Sequence, residues 1–360
     1  MIGFSTFKKT PDTGRAAQVC IEKIRTYTAC ASPLCTMIDI ANRLESDSGA
    51  AQNIWVIRTH LRSDDIKQSR ISAWPLRFSA TARASEKPLL YLTRSATSAE
   101  LCALSNESAN RGILCNDIET SPSRWPKGAH PWVPLWLVAN PQCLPFDPAS
   151  GAEAHAIALA ALQSLYVEGN DGFYYMALHD QPDDFITPTD PLCANQALKG
   201  MYRLAGIDTD SALPRVRLLG AGLALQSVIA AAHMLRDDWG VASELWSCPS
   251  YTRLARDADK AQRWNRLHPG MPRRSAHLLD CLDTEDWPVV AVTGYAQHVA
   301  EQIGAHVRSR FVALGADSTG PAMGKVDKHW IVVLALQALV QEGAITQAHV
   351  EQAMARYQLV

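Results

Sequence analysis

The sequence predicts an α/β protein of two domains, each a sheet covered by helices. The 360-residue chain is longer than one ordinary domain. Its apolar fraction of 47% is enough to build two cores. Through the second half, apolar runs of strand length alternate with helix-length amphipathic stretches, the pattern of a sheet with parallel neighbours.

In the first half, the apolar runs Leu89–Thr93 and Gly112–Cys115 read as short strands. Glu153–Tyr166, rich in Ala and Leu, reads as a helix. "GFYYMAL", Gly172–Leu178, reads as a strand after a Gly-Asn-Asp-Gly turn. Before residue 85 the pattern fades, and Ser69–Lys87 reads as a long surface loop or mobile segment. "DTDSALP", within 207–214, is the linker. The domains are then 1–206, with 1–84 poorly assigned, and 215–360.

Beyond the linker, Val216–Leu219 is a strand, Ala224–Arg236 a helix, Val241–Trp246 an alternating strand and Tyr251–Trp264 a helix. Pro288–Thr293 is a buried strand, Tyr295–Ile303 a helix and Arg310–Leu314 a strand. Trp330–Glu342 is a long apolar helix stopped by Gly343, and Thr346 caps a last helix to Tyr357.

Composition excludes several function classes. A net charge of −2 gives no general attraction to nucleic acid or an anionic membrane. The amino terminus has no signal-like apolar run, and Leu218–Leu235 is interrupted by Gly220, Gly222, Gln226 and His233, so no membrane span is expected. Nine scattered cysteines without a C-x-x-C pair read as reduced thiols of a cytoplasmic protein. Cys30 and Cys35 come closest together, at a spacing that suits no common zinc motif.

"RVRLLGAGLALQ", Arg215–Gln226, poses the question of a nucleotide site. A dinucleotide fingerprint needs a third glycine where Leu225 stands, and a ribose-binding acid at a strand end. Glu244 lies mid-strand instead, so the glycines read as a tight strand-to-helix turn. No P-loop motif is present, and no Gly-x-Ser-x-Gly elbow.

"PSYTRLARDADKAQRWNRLHP", Pro249–Pro269, resembles the carboxy-terminal domain of the homodimeric pyruvate dehydrogenase first component, a thiamine-diphosphate-dependent, transketolase-like family. "KGMYRLAG", "VRLLGAG", "VTGYAQHVAEQI" and "RFVALGADSTG" agree in order, and "WIVVLALQALVQEGAI" follows where the family has its closing helix. Upstream, Asn140–Leu159, "GFYYMAL" and "ELCALSNESANRG" resemble the family's middle, pyrimidine-binding domain. The resemblance implies a degenerate pyrimidine-binding-type domain followed by a transketolase C-terminal-like domain.

The same resemblance implies missing chemistry. The family binds the diphosphate and magnesium through Gly-Asp-Gly…Asn on a separate amino-terminal domain. Here only Asn170-Asp171-Gly172 comes near, and it reads as a turn. The neighbourhood of the family's catalytic glutamate, Trp55–Asp65, offers His60, Asp64 and Asp65 but no glutamate. In the family's histidine-rich interval this chain has His130 alone, with Trp132, Val133, Leu135 and Trp136 as apolar replacements of a lost pocket. Tyr91 lies near a family active-site tyrosine, with Leu90 competing for the alignment. His179 and Asp180 follow a strand and face either a cleft or solvent. The segment Ser318–Lys325 is a shortened family loop. Tyr91, His130, His179 and Asp180 are the candidate pocket residues.

The resemblance thus implies a non-catalytic paralogue, an assembly or regulatory subunit that takes no cofactor by itself. The alternative is one subunit of a split 2-oxo-acid dehydrogenase, with thiamine diphosphate and magnesium held by another chain. The expected partners are a second copy or a 2-oxo-acid dehydrogenase component.

Overall fold

The computed structural model describes residues 7–59, 72–120, 123–182, 195–204, 213–317 and 326–359. The chain divides into two units, 1–122 with 128–188, and 123–127 with 189–360. Most of the expected linker, 207–212 of 207–214, lies outside the described residues, as do His60, Asp64, Asp65 and Ser318–Lys325.

The first unit starts with two helices, α1 (Pro11–Arg25) and α2 (Pro33–Ser46), and a strand β1 (Trp55–Arg58). None of these was expected from the sequence. Their signals are local and quiet. Both helices begin with proline, whose fixed φ suits the first helical turn. In α2 the Ser32 hydroxyl accepts from the Cys35 amide at 3.1 Å, and Leu34, Met37, Ile40, Ala41 and Leu44 share the buried face. In α1 the buried stripe is Ala16, Ala17, Cys20, Ile21 and Ile24, small residues that contrast weakly with their polar neighbours.

Two short helices follow, α3 (Trp74–Phe78) and α4 (Ala80–Ala84), where a long surface loop or mobile segment was expected. Ser79 both ends α3 and caps α4, accepting from the Ala82 amide at 3.2 Å. Then come β2 (Leu89–Thr93), α5 (Ser98–Glu107), β3 (Gly112–Asp117), α6 (Trp132–Ala139), β4 (Cys143–Phe146), α7 (Gly151–Leu162) and β5 (Phe173–Leu178). The helix expected over Glu153–Tyr166 continues past α7 as a π turn, Gln163–Val167.

These strands form one parallel sheet in the order β1-β2-β3-β5-β4. Every residue of β1, β2, β3 and β5 is buried, as expected for a parallel sheet with both faces covered. The apolar run Trp132–Trp136, expected as replacement of a lost pocket, is helical and only partly buried. It forms the apolar α6, with Val133 and Leu137 buried one turn apart and Trp132 and Leu135 more than half exposed.

The second unit has its own sheet, in the order β10-β9-β7-β8-β6. Its elements are β6 (Tyr202–Arg203), β7 (Arg215–Gly220), α8 (Ala224–Trp239), β8 (Ala242–Ser247), α9 (Tyr251–Leu267), α10 (His277–Leu282), β9 (Val289–Thr293), α11 (His298–Glu301), β10 (Phe311–Gly315), α12 (Lys328–Gln341) and α13 (Gln347–Arg356). All pairs are parallel except β6 with β8. The expected helix over Tyr295–Ile303 is only the short α11, followed by a 3-10 turn, Gly304–His306.

The glycine turn has a steric cause. A side-chain carbon at Gly220 would come within 2.8 Å of Leu225 Cδ1 and 2.9 Å of Leu225 Cα. Gly222 sits at φ +52°, in the left-handed region. The close approach of strand and helix is thus made at Gly220, with Leu225 packed over it.

Candidate functional site

In an open parallel sheet, ligands bind beyond the carboxyl ends of the strands. In the first unit that edge is polar. The Thr93 and Ser95 hydroxyls lie 2.9 Å apart. Asn116 accepts from the Ser95 amide at 2.8 Å and donates to the Ser95 carbonyl at 2.9 Å and the Tyr175 hydroxyl at 3.0 Å. Arg94 donates through Nε to Asp117 at 3.0 Å, and Asp117 accepts from Thr120 at 2.5 Å. At the end of β1, Arg58 pairs with Glu45 and donates to Asn42 at 2.9 Å. Each of these groups has a hydrogen-bond or ion-pair partner within the edge.

The four expected pocket residues have different fates. Tyr91 is buried in β2, and its hydroxyl donates to Glu107 at 3.3 Å. Burial, with Glu107 beside it, pushes its phenol well above the usual range. Glu107 also accepts from the Ser72 hydroxyl at 2.7 Å and from the Ala73 amide, so Tyr91 belongs to a buried network that ties α3 to α5. His130 precedes α6. Its amide donates to the Ala96 carbonyl at 2.8 Å, and its Nδ1 accepts from the Trp132 amide at 3.3 Å.

His179 and Asp180 are held together with the start of α2. Leu34 donates to the buried His179's carbonyl at 3.1 Å, and Ser32 donates to the exposed Asp180 at 2.8 Å. This neighbourhood also holds residues that the sequence reading left apart. Cys30 and Cys35 bring their sulfurs within 2.7 Å, and Cys30 Sγ lies 3.3 Å from Asp39 Oδ2. The Tyr27 hydroxyl is 3.2 Å from both Cys30 Sγ and Asp39 Oδ2. Burial and these acidic neighbours push Tyr27 above the usual phenol range. The cysteines therefore are not uniformly scattered, since the α1–α2 loop and one helix turn gather two of them beside a carboxylate. The spacing of Cys35 and Asp39, one turn apart on α2, is the signal that was available in the sequence.

Asn170-Asp171-Gly172 does not present a diphosphate–magnesium set. Asn170 donates to Ser164 Oγ at 3.0 Å and to Glu168 at 3.1 Å, Asp171 pairs with Lys9 at 2.9 Å, and Gly172 sits at φ +102°. The segment is a hydrogen-bonded turn. In the second unit, Glu244 accepts from Arg217 at 3.2 Å and from Trp246 Nε1 at 2.8 Å. An acid committed to those partners does not serve a ribose, which leaves the glycine turn without a nucleotide role. Its neighbour motif "RWNRLHP" is structural as well. The Trp264 ring stacks on His268 at 3.8 Å and lies 3.5 Å under the Arg274 guanidinium.

Residues 200–324 match the family model described as a transketolase-like TK C-terminal domain. The chain is 38% identical over 235 residues to the pyruvate dehydrogenase E1 component of Cupriavidus necator, which covers 62% of this chain and 26% of that protein. With the E1 component of Pseudomonas aeruginosa the identity is 36% over 227 residues, 60% of this chain and 25% of that one. The chain thus spans about a quarter of the length of the curated relatives it matches.

Among solved structures, a Pichia stipitis transketolase aligns with a TM-score of 0.54 at 13% identity, over 97% of this chain and 51% of that one. A split-gene transketolase, described as an inactive beta4 tetramer, aligns with a TM-score of 0.53 at 15% identity, over 90% of this chain and 98% of that one. Among the described residues no helix is long and apolar enough to cross a membrane. The chain has the transketolase-like α/β fold, carries a transketolase-like C-terminal domain in residues 200–324, and is similar in sequence to the pyruvate dehydrogenase E1 component.

Proposed function

We propose that the protein is a non-catalytic relative of the pyruvate dehydrogenase E1 component, which acts by assembling with a second copy or with a 2-oxo-acid dehydrogenase component. The observation that supports this reading most is the carboxyl edge of the first sheet. Arg94–Asp117, Asn116–Ser95–Tyr175 and Arg58–Glu45 are paired with one another there. A working cofactor site keeps such groups aimed at the ligand, because a buried polar group that is freed costs about 1–3 kcal/mol. Here the groups have taken internal partners.

A second reading has its own support. The split-gene transketolase chain is matched over 98% of its length, so a fold of this extent occurs as a separate chain. On that reading the protein completes a thiamine diphosphate site whose diphosphate and magnesium are held by another chain.

One experiment separates the two. The chain is titrated with thiamine diphosphate and magnesium, alone and with an E1 chain that brings the diphosphate-binding domain. The assembly reading expects a stable homodimer or heteromer in sedimentation, and no cofactor heat or pyruvate turnover that depends on this chain. Cofactor binding and turnover that appear only on mixing establish the split enzyme instead. A monomer that ignores E1 partners overturns both.

A further inference from the structure

We propose that Cys30, Cys35 and Asp39 form a binding site for a divalent, borderline-soft cation, zinc in the first instance, with one position left open to solvent. This goes beyond the assembly reading and does not depend on it. The three side chains place one sulfur, one sulfur and one carboxylate oxygen all within 4.8 Å of one another. Two thiols with a carboxylate make a donor set that suits zinc.

The fold builds this arrangement on short local elements. Cys35 is the third residue of α2, and Asp39 follows one turn later on the same face. Cys30 comes from the α1–α2 loop, whose backbone is pinned. Its carbonyl accepts from Thr36 Oγ1 at 3.3 Å. It also faces the first residue of α7 so closely that a side-chain carbon at Gly151 would lie 1.9 Å from the Cys30 oxygen. Both cysteines are half-buried and Asp39 is exposed, so the open position faces water. Around the donors, Tyr27 donates its hydroxyl to Asp39 at 3.2 Å, the kind of outer contact that orients a ligating carboxylate.

The Cys30–Asp39 distance suits a shared cation, while the sulfurs, at 2.7 Å, stand between a disulfide of about 2.05 Å and a zinc-bound edge. Zinc–sulfur bonds of about 2.3 Å and zinc–oxygen bonds of about 2.0–2.2 Å give tetrahedral S···O edges of roughly 3.5 Å and S···S edges of roughly 3.8 Å. The Cys30–Asp39 separation of 3.3 Å is close to the first value. The sulfurs, at 2.7 Å, open by about 1 Å to reach the second. A disulfide would draw them together and leave Asp39 and Tyr27 without a part. Binding changes no oxidation state. Each thiol gives its proton to solvent as its sulfur bonds the metal, so two protons leave for each zinc bound.

The full chain, reduced with a phosphine and desalted after zinc addition, tests this. One zinc per chain is expected, and cobalt in its place is expected to show thiolate charge-transfer absorption and tetrahedral visible bands. Cys30→Ser and Cys35→Ser should each weaken affinity by roughly 100-fold or more, and Tyr27→Phe by about 10-fold, the outer-contact range. Cys102→Ser, an exposed cysteine elsewhere, should bind as the parent does. Circular dichroism identifies any variant that fails to fold, and the cobalt spectrum of the unaltered chain carries the test in that case. Zinc retention no higher than in Cys35→Ser overturns the proposal. So does a Cys30–Cys35 disulfide that forms in air with zinc in excess.

Discussion

Arg217 and Glu244, on the neighbouring strands β7 and β8, form an ion pair at 3.2 Å in which the arginine side chain is completely buried. The guanidinium also donates to the Leu282 carbonyl at 2.6 Å, the Glu285 carbonyl at 2.8 Å and the Thr284 hydroxyl at 3.0 Å. One side chain therefore fastens the centre of the second sheet to the segment that leads into β9. Replacing it leaves an acid and two carbonyls short of a donor inside the protein. Arg217→Met is expected to destabilise the chain by about 3–5 kcal/mol, as for a buried pair that loses one partner. Urea unfolding followed by circular dichroism measures it, and a loss under about 1 kcal/mol would mean that Arg203, 3.2 Å from Glu244, takes over the pairing.

Gly220 makes the second unit's strand-to-helix contact. Because the added carbon would meet Leu225 Cα, a backbone atom, the helix itself has to shift. Gly220→Ala is expected to cost about 1–3 kcal/mol as overpacking. Gly240, which ends α8 at φ +60° with open space around it, offers the control. Gly240→Ala meets only the left-handed backbone penalty of about 1–2 kcal/mol. The two variants differ in kind, and thermal unfolding of the double variant should show additive losses, since the sites share no contact partner.

These positions also show where the sequence is legible. Leu225 in place of a third glycine, and Glu244 in mid-strand, argue from the sequence alone against a nucleotide site, and both residues are spent on packing and pairing. "FYYMAL" and the strands after Arg215 stand out because each is apolar throughout. The first helices do not stand out, because α1 buries Ala and Cys where a reader looks for Leu. The polar edge at Arg94, Asn116 and Asp117 is invisible for a different reason. Each residue is ordinary in its own segment, and only the parallel register, Thr93 beside Asn116, brings the strand ends together. Cys30, Cys35 and Asp39 fall between these cases: the helical spacing of the last two is readable, while the return of the loop is not.

Alkaline pH should destabilise the first unit. Burial raises Cys20 from 9.0 to about 12 and pushes Cys115, Tyr91 and Tyr166 well above their usual ranges. For groups raised in this way the folded state keeps protons that the unfolded chain releases. Their stabilising contribution is complete below the unfolded value and is lost as pH rises beyond it. The urea midpoint should therefore fall steadily above about pH 9, the unfolded thiol range. Cys115→Ala should lower the midpoint at neutral pH through the lost side chain, yet flatten the alkaline slope. An unchanged slope in that variant would remove Cys115 from the account.

The acid side carries a matching device in His155. It lies on α7, partly buried, with Nε2 at 2.8 Å from the Ile24 carbonyl at the end of α1 and its ring edge-on to Tyr27 at 5.7 Å. Burial lowers its pKa below the ordinary 6.5, while the Ile24 carbonyl pulls weakly the other way. The fold thus favours the neutral ring, which donates from Nε2 to the carbonyl. For a group depressed in this way the contribution is present above the unfolded value and is lost as pH falls through the folded one. Stability is expected to decline between about pH 6.5 and about pH 5, where an unperturbed histidine takes up its proton. His155→Gln, which keeps an N–H donor and cannot titrate, should hold most of the neutral-pH stability and lose that part of the acid slope. Equal acid slopes in the parent and in His155→Gln, read from urea midpoints at each pH, would assign the decline to the carboxylates of the chain instead.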